Sequence, residues 1–210
     1  MGFITEKNMI ENVVFDFGQV LIKFDPDHMV GRYVTDAVDA ALLSAVVFDR
    51  LYWDKLDAGT LGDAEAVAMM QARLPDRLKA AASDIYYNWI YNIPEIEGMR
   101  EVVELAIERG AQVFLLSNIS RYFAQHADEI PILSLIENRV FSSVCGFVKP
   151  SAEIYRHLCK KYSLAPEKTL FVDDRRENVE GAEAVGLRGY LFDGDAARLR
   201  AYLDTCIGKT

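Results

Sequence analysis

Three short apolar runs stand out along the chain, and each ends in side chains capable of chemistry. Val13-Val14-Phe15 closes on Asp16, with Phe17 and Gly18 behind it. Val113-Phe114-Leu115-Leu116 closes on Ser117-Asn118, and Leu170-Phe171-Val172 closes on Asp173-Asp174. None of the runs alternates with polar residues, the pattern of strands buried on both faces of a parallel sheet. Weaker runs predict further strands at Arg139–Ser142 and Gly189–Phe192. Helical patterns separate them, over Glu95–Arg109, Arg121–Glu129, Ala152–Tyr162, Glu177–Val185 and Ala196–Cys206. Gly110 and Gly186 supply helix stops. Alternating strands and helices predict a parallel sheet with right-handed crossovers. Ligands of such sheets collect beyond the carboxyl ends of the strands, where Asp16, Ser117 and Asp173 stand.

The texture changes between Pro26 and about Asn92. Helical patterns follow one another there with no convincing strand, over Asp27–Val34, Asp36–Phe48, Asp63–Arg73 and Asp76–Tyr91. Asp63 reads as an N-cap, Gly59-Thr60-Leu61-Gly62 as a break and Pro75-Asp76 as a restart. The predicted organisation is a doubly wound α/β core, residues 1–25 and 93–210, with an all-helical cap over 26–92. A cap inserted after the first strand lies over the strand ends, where lids exclude water and supply substrate contacts. Phe48, Leu51, Tyr52, Trp53, Asp57 and the Ala58-Gly59 turn read as its pocket face, with Tyr52, Trp53 and Asp57 as substrate contacts. A place for Tyr52 and Trp53 in the cap's own core competes with that. Tyr86, Tyr87, Trp89 and Tyr91 read as bracing for cap and hinge. The three histidines receive no role.

Composition narrows the partners. A chain of 210 residues with 51% hydrophobic content is long and apolar enough for a substantial core. A net charge of −9 argues against nucleic acid or an anionic membrane as the main partner. No apolar run approaches the roughly 18 residues of a membrane span. Met1–Lys7 lacks a signal-peptide pattern, and Glu6 stands where a myristoylation motif needs Ser or Thr. Cys145, Cys159 and Cys206 are odd in number and widely spaced, as in a reducing cytoplasm. A cytoplasmic monomer or weak dimer is expected.

A carboxylate, a hydroxyl, a lysine and an acidic pair gathered at strand ends can hold a divalent metal and attack a phosphoryl group. Two adjacent acids at the end of a buried strand repel each other unless a cation is present. Mg²⁺ is bound through few carboxylates and keeps several waters. With Lys149-Pro150 included, these stations resemble the haloacid dehalogenase superfamily of aspartate-nucleophile phosphatases. The resemblance runs from about Asn12 to Cys206 and is densest over Gly146-Phe147-Val148-Lys149-Pro150-Ser151-Ala152-Glu153-Ile154-Tyr155. It is closest to the sugar-phosphatase and epoxide-hydrolase N-domain-like branch, whose first motif reads Asp-x-Gly.

The resemblance implies roles. Asp16 attacks phosphorus to give an acyl phosphate. Lys149 bridges Asp16 and the phosphoryl oxygens, with Pro150 fixing the backbone as a helix begins. Ser117 and Asn118 hold phosphoryl oxygens, although a plain helix cap competes. Mg²⁺ is held by Asp16, the Gly18 carbonyl, Asp174, and Asp173 directly or through water, with Asn178 ordering the loop. The substrate is a small phosphorylated metabolite, a sugar phosphate being the expectation. One departure matters. Many members carry a second Asp two residues after the nucleophile as general acid and base. Gly18 stands there, which disfavours a phosphomutase. Two alternatives are a silent relative that only binds, and a metal-free dehalogenase, a branch without the acidic pair.

Overall fold

The structure is a computed structural model that describes residues 9–208. Met1–Lys7, on which the targeting and acylation readings fall, lies outside the described residues. From β1 (Asn12–Phe15) the chain leaves the sheet for five helices: α1 (Pro26–Gly31), α2 (Ala37–Val47), α3 (Arg50–Asp57), α4 (Asp63–Ala72) and α5 (Asp76–Asn88). A 3₁₀ turn, Trp89–Tyr91, ends this block. The core then runs through α6 (Met99–Glu108), β2 (Gln112–Ser117), α7 (Arg121–His126), β3 (Asn138–Phe141), α8 (Ser142–Cys145) and α9 (Ala152–Tyr162). It closes with β4 (Thr169–Asp173), α10 (Arg176–Glu183), β5 (Arg188–Leu191) and α11 (Ala196–Cys206).

The five strands are parallel in the order β3-β2-β1-β4-β5. Successive strand residues point to opposite faces, which sorts the apolar runs into two cores. Val13, Phe15, Val113, Leu115, Leu170 and Val172 pack with α6 and α11. Val14, Phe114, Leu116 and Phe171 pack with α9 and α10. Both faces are covered, so the runs need no polar alternation, as their composition predicts. Phe15 pairs with Leu115 on one side and Val172 on the other. Asp16, Ser117 and Asp173 therefore leave three adjacent strands at one edge.

The helical block has its own apolar cluster, including Leu43, Val47, Tyr52, Leu56, Val67, Met70, Leu78, Ile85 and Tyr86. Rings join it to the core. Phe24, Phe48, Trp53 and Trp89 lie edge to face or stacked with centroids 5.4–6.1 Å apart, and Trp89 stacks on Phe123 at 5.0 Å.

Three local expectations are corrected. The helix expected from Glu95 starts at Met99, because Lys23 N–H donates to Pro94 O and Ile96 N–H to Leu21 O, and Gly98 then turns with φ 83°. Asp63 is the first helical residue rather than its cap. Gly62 caps α4, and the Asp63 carboxylate accepts from Tyr86 OH at 2.7 Å. Pro150 does not open α9: Ser151 is its N-cap, and the Lys149–Pro150 peptide is cis. Two helices, α3 and α8, were not predicted at all.

Close approach also shapes the Lys149 segment. A Cβ at Gly181 of α10 would lie 2.6 Å from Pro150 O and 3.1 Å from both Pro150 Cβ and Tyr155 Cε2. A Cβ at Gly18 would meet nothing within 4 Å. Gly181→Ala is expected to destabilise by about 1–3 kcal/mol, as overpacking does, and to displace Lys149. Gly18→Ala is expected to leave the melting temperature unchanged. Thermal melts of the two variants check this.

Candidate active site

The site is built around one buried cation. Lys149 Nζ lies 2.7 Å from Asp16 Oδ1 and 2.8 Å from Asp173 Oδ2, with all three side chains buried. Its backbone is fixed by Asn118, whose Nδ2 donates to Lys149 O at 3.0 Å and whose Oδ1 accepts from Lys149 N–H at 2.8 Å. Burial alone would push the ammonium's pKa down, but the carboxylates of Asp16 and Asp173 outweigh it and raise it. Lys149 is thus held as a cation.

The acidic pair divides its work. Asp173 is fully buried at the end of β4. Besides Lys149, its oxygens accept from Asn178 Nδ2, at 3.0 Å each, and from Arg175 N–H at 2.9 Å. Asn178 is held in turn by Tyr155, whose OH donates to Asn178 O at 2.7 Å. Asp174 lines the pocket and is half-buried; burial, then the charge of Asp173, raises its pKa. Asp16 is pushed up to about 7, chiefly by burial, with Lys149 pulling down and Asp173 pushing up.

One carboxylate oxygen from each of Asp16, Asp173 and Asp174 lies within 4.8 Å of the others. Three carboxylates against one ammonium leave two negative charges when all are ionised, which is the charge a divalent cation cancels. Gly18 also lines this pocket. The donor set consists of hard oxygens, which suits Mg²⁺.

The pocket, about 230 Å³, is floored by Asp16, Gly18, Ser117, Asn118, Lys149 and Asp174. Arg50, Trp53 and Asp57 of α3 face it from the helical block. These three recur at intervals of three and four, one face of a helix. Tyr52 and Leu56 lie on the other face and are buried in the block's own cluster. Tyr52 is therefore not a pocket residue: its OH takes a 2.9 Å hydrogen bond from Arg73, which also holds the α3 N-cap Asp49. The Trp53 indole donates to Val47 O at 2.7 Å, leaving its ring to the pocket and the aromatic junction.

Asn118, expected from the sequence to hold a phosphoryl oxygen, lines the pocket, and its side-chain amide is occupied by the Lys149 backbone. The capping role that competed for Ser117 and Asn118 belongs to Ser120, whose Oγ accepts from Phe123 N–H. Arg50, Arg175, Gln19, Phe24 and Trp89 also line the pocket and were not anticipated as site residues. Arg175 had a signal, being the cation directly after the acidic pair. Arg50 had one only once α3 is read as a helix.

A family model for haloacid dehalogenase-like hydrolase matches residues 10–186. The chain is similar to D-ribitol-5-phosphate phosphatase of Bacteroides thetaiotaomicron, 24% identical over 196 residues, covering 90% of this chain and 94% of that one. Among solved structures, it resembles a HAD-like family hydrolase from Porphyromonas gingivalis with TM-score 0.71 and 23% identity, covering 94% of this chain and 98% of the other. A HAD family enzyme of Bacteroides thetaiotaomicron, solved with magnesium and inorganic phosphate, matches with TM-score 0.63 and 18% identity over 86% of this chain and 93% of the other. The extent of the family match, from Ile10 past every station of the site, settles the membership: the chain belongs to the haloacid dehalogenase-like hydrolases.

Proposed function

We propose that this hydrolase is a phosphatase that splits a small phosphate monoester through a phosphoryl group carried on Asp16. The observation that carries the reading is the Asp16 carboxylate held against buried Lys149 beside a half-buried acid, Asp174, that lines the pocket. A carboxylate so placed can attack phosphorus once charge on the phosphoryl group is neutralised. Lys149 supplies part of that neutralisation, and Ser117 offers a hydroxyl to a phosphoryl oxygen. Asp173 and Asn178 orient Lys149 and the acidic loop.

Mg²⁺ fits the remaining charge, and Asp16, Asp174 and the Gly18 carbonyl would hold it, with Asp173 behind them. It would neutralise the phosphoryl oxygens during attack. The helical block, residues 26–92, acts as a cap over a core of residues 1–25 and 93–210. Trp53, Arg50 and Asp57 present an aromatic face, a guanidinium and a carboxyl group to the substrate, which suits a polyhydroxylated phosphate such as a sugar or alditol phosphate. The relative named for D-ribitol 5-phosphate supports that class. The three cysteines are unpaired, and a cytoplasmic location belongs to the same reading. No described helix is long and apolar enough to cross a membrane.

Asp16→Asn keeps the shape of the nucleophile and removes its charge. It is expected to lower turnover of 4-nitrophenyl phosphate by at least about 10³-fold while the far-UV spectrum stays unchanged. Steady-state assay checks it, and retained turnover would rule out attack by Asp16.

Asp16 also carries a pH dependence. Its pKa is raised from 3.8 to about 7 in the folded protein. A raised carboxyl pKa contributes stability that is complete below the unfolded value and is lost as pH rises through the folded one. The metal-free protein is therefore expected to melt lower as pH rises from about 4 to about 7. Mg²⁺ binds the ionised form, so its stabilisation should be larger at pH 8 than at pH 5.5. Melting scans with and without millimolar Mg²⁺ read both effects.

A further inference from the structure

Gly18 leaves one chemical task without a side chain, because nothing at that position can protonate the departing oxygen. The pocket does contain another carboxyl group. Asp57 is the last residue of α3 and lines the pocket on the same helix face as Arg50 and Trp53. Its Oδ1 is buried and has no hydrogen-bond partner. The site's other buried carboxylates, Asp16 and Asp173, are each held by Lys149. A buried carboxyl oxygen with no partner costs stability, so its presence on a pocket wall calls for a ligand or a reaction.

The turn after Asp57 fixes where it stands. Gly59 has φ +68°, and a Cβ there would lie 2.5 Å from the Ser143 carbonyl oxygen. Glycine alone lets the turn seat directly on α8 of the core, which holds Asp57 over the strand ends. The charges around it are Arg50 and Asp54 on α3 and Lys149 from the core. Burial raises its pKa to about 7, against the pull of Arg50 and Lys149 and with a push from Asp54. Both protonation states are therefore accessible near neutral pH, as acid–base catalysis requires.

We propose that Asp57 is the proton donor to the leaving group, performing from the helical block the task that position 18 cannot. The inference rests on the phosphatase reading above. In the first step, Asp16 forms a bond to phosphorus as the ester P–O bond breaks. The bonding pair goes to the leaving oxygen, which takes the proton from the Asp57 carboxyl group and departs as an alcohol. In the second step, Asp57, now a carboxylate, takes a proton from water as the water oxygen bonds to phosphorus. The bond between phosphorus and the Asp16 oxygen breaks, which restores both carboxyl groups and releases phosphate. A residue that only bound substrate hydroxyls would also sit here, and the two roles predict different losses.

The test compares kcat/KM for Asp57→Asn and wild type on aryl phosphates of graded phenol acidity and on propyl phosphate, which has no hydroxyl. Protonation by Asp57 predicts a loss in kcat/KM that grows as the leaving group becomes less acidic, smallest on 4-nitrophenyl phosphate and about 10²–10⁴-fold on propyl phosphate. Adding Gly18→Asp to Asp57→Asn should restore part of the alkyl activity, because position 18 has open space and no positive φ. An equal loss across the series, or a loss confined to hydroxylated esters, would overturn the proposal. Should Asp57→Asn fail to fold, wild type still decides: a shallow dependence on leaving-group acidity supports a donor, and a steep one overturns it. Absence of any wild-type turnover of 4-nitrophenyl phosphate would instead sink the phosphatase reading, and this inference with it.

Discussion

A buried ammonium shared between two carboxylates sets the geometry of everything around it. Lys149 stands 2.7 Å from Asp16 and 2.8 Å from Asp173, out of water. Desolvating these groups is expensive, and removing one partner of such a set typically costs about 3–5 kcal/mol. The surrounding sequence is arranged to keep the set together. Asn118 clamps the Lys149 backbone, Asn178 and the Arg175 N–H hold Asp173, and Gly181 admits the Pro150 turn against α10. Asn118 follows β2, whereas Arg175, Asn178 and Gly181 follow β4. The parallel sheet is what brings them together, since β1, β2 and β4 are adjacent and in register.

The same ion set separates two kinds of carboxylate. Asp173 is saturated with donors and has structural work to do. Asp16 and Asp174 face the pocket, and burial raises the pKa of both. Burial disfavours their charged forms, a cost that a divalent cation bound between them would offset. The helical block completes the chamber. Its aromatic junction with the core runs through Trp53 and Trp89, both of which also line the pocket. The contact that joins the block to the core therefore also forms part of the pocket wall.

Much of this was legible from the chain because burial on both faces gives a parallel strand an unmistakable apolar run. The ends of those runs pointed to Asp16, Ser117, Asp173 and Asp174, and the Lys149-Pro150 phrase supplied the cation. What escaped was mostly a matter of period and side-chain partners. Arg50–Asp57 is charged and interrupted enough that no helix was predicted there. Without the helical period, Tyr52 could not be separated from Trp53 and Asp57, and Arg50 went unnoticed. Asn118 and Asp173 were seen as ligands because their types fit. Their protein partners, the Lys149 backbone for Asn118 and Lys149, Asn178 and the Arg175 N–H for Asp173, lie beyond what sequence spacing can reveal. The start of α6 was lost for a similar reason, since Pro94 and Ile96 pair with Lys23 and Leu21 across the molecule.

The central claim is that the carboxylate paired with Lys149 carries the phosphoryl group during turnover. Borohydride quenching of the enzyme in steady state with Mg²⁺ and 4-nitrophenyl phosphate addresses it directly, because an acyl phosphate is reduced to an alcohol and an ordinary carboxylate is not. Peptide mass spectrometry is predicted to find homoserine at position 16 and at no other aspartate, and only when substrate and metal are both present. Steady release of phosphate with position 16 unreduced, or with the reduction found at Asp173 or Asp174, would contradict the account.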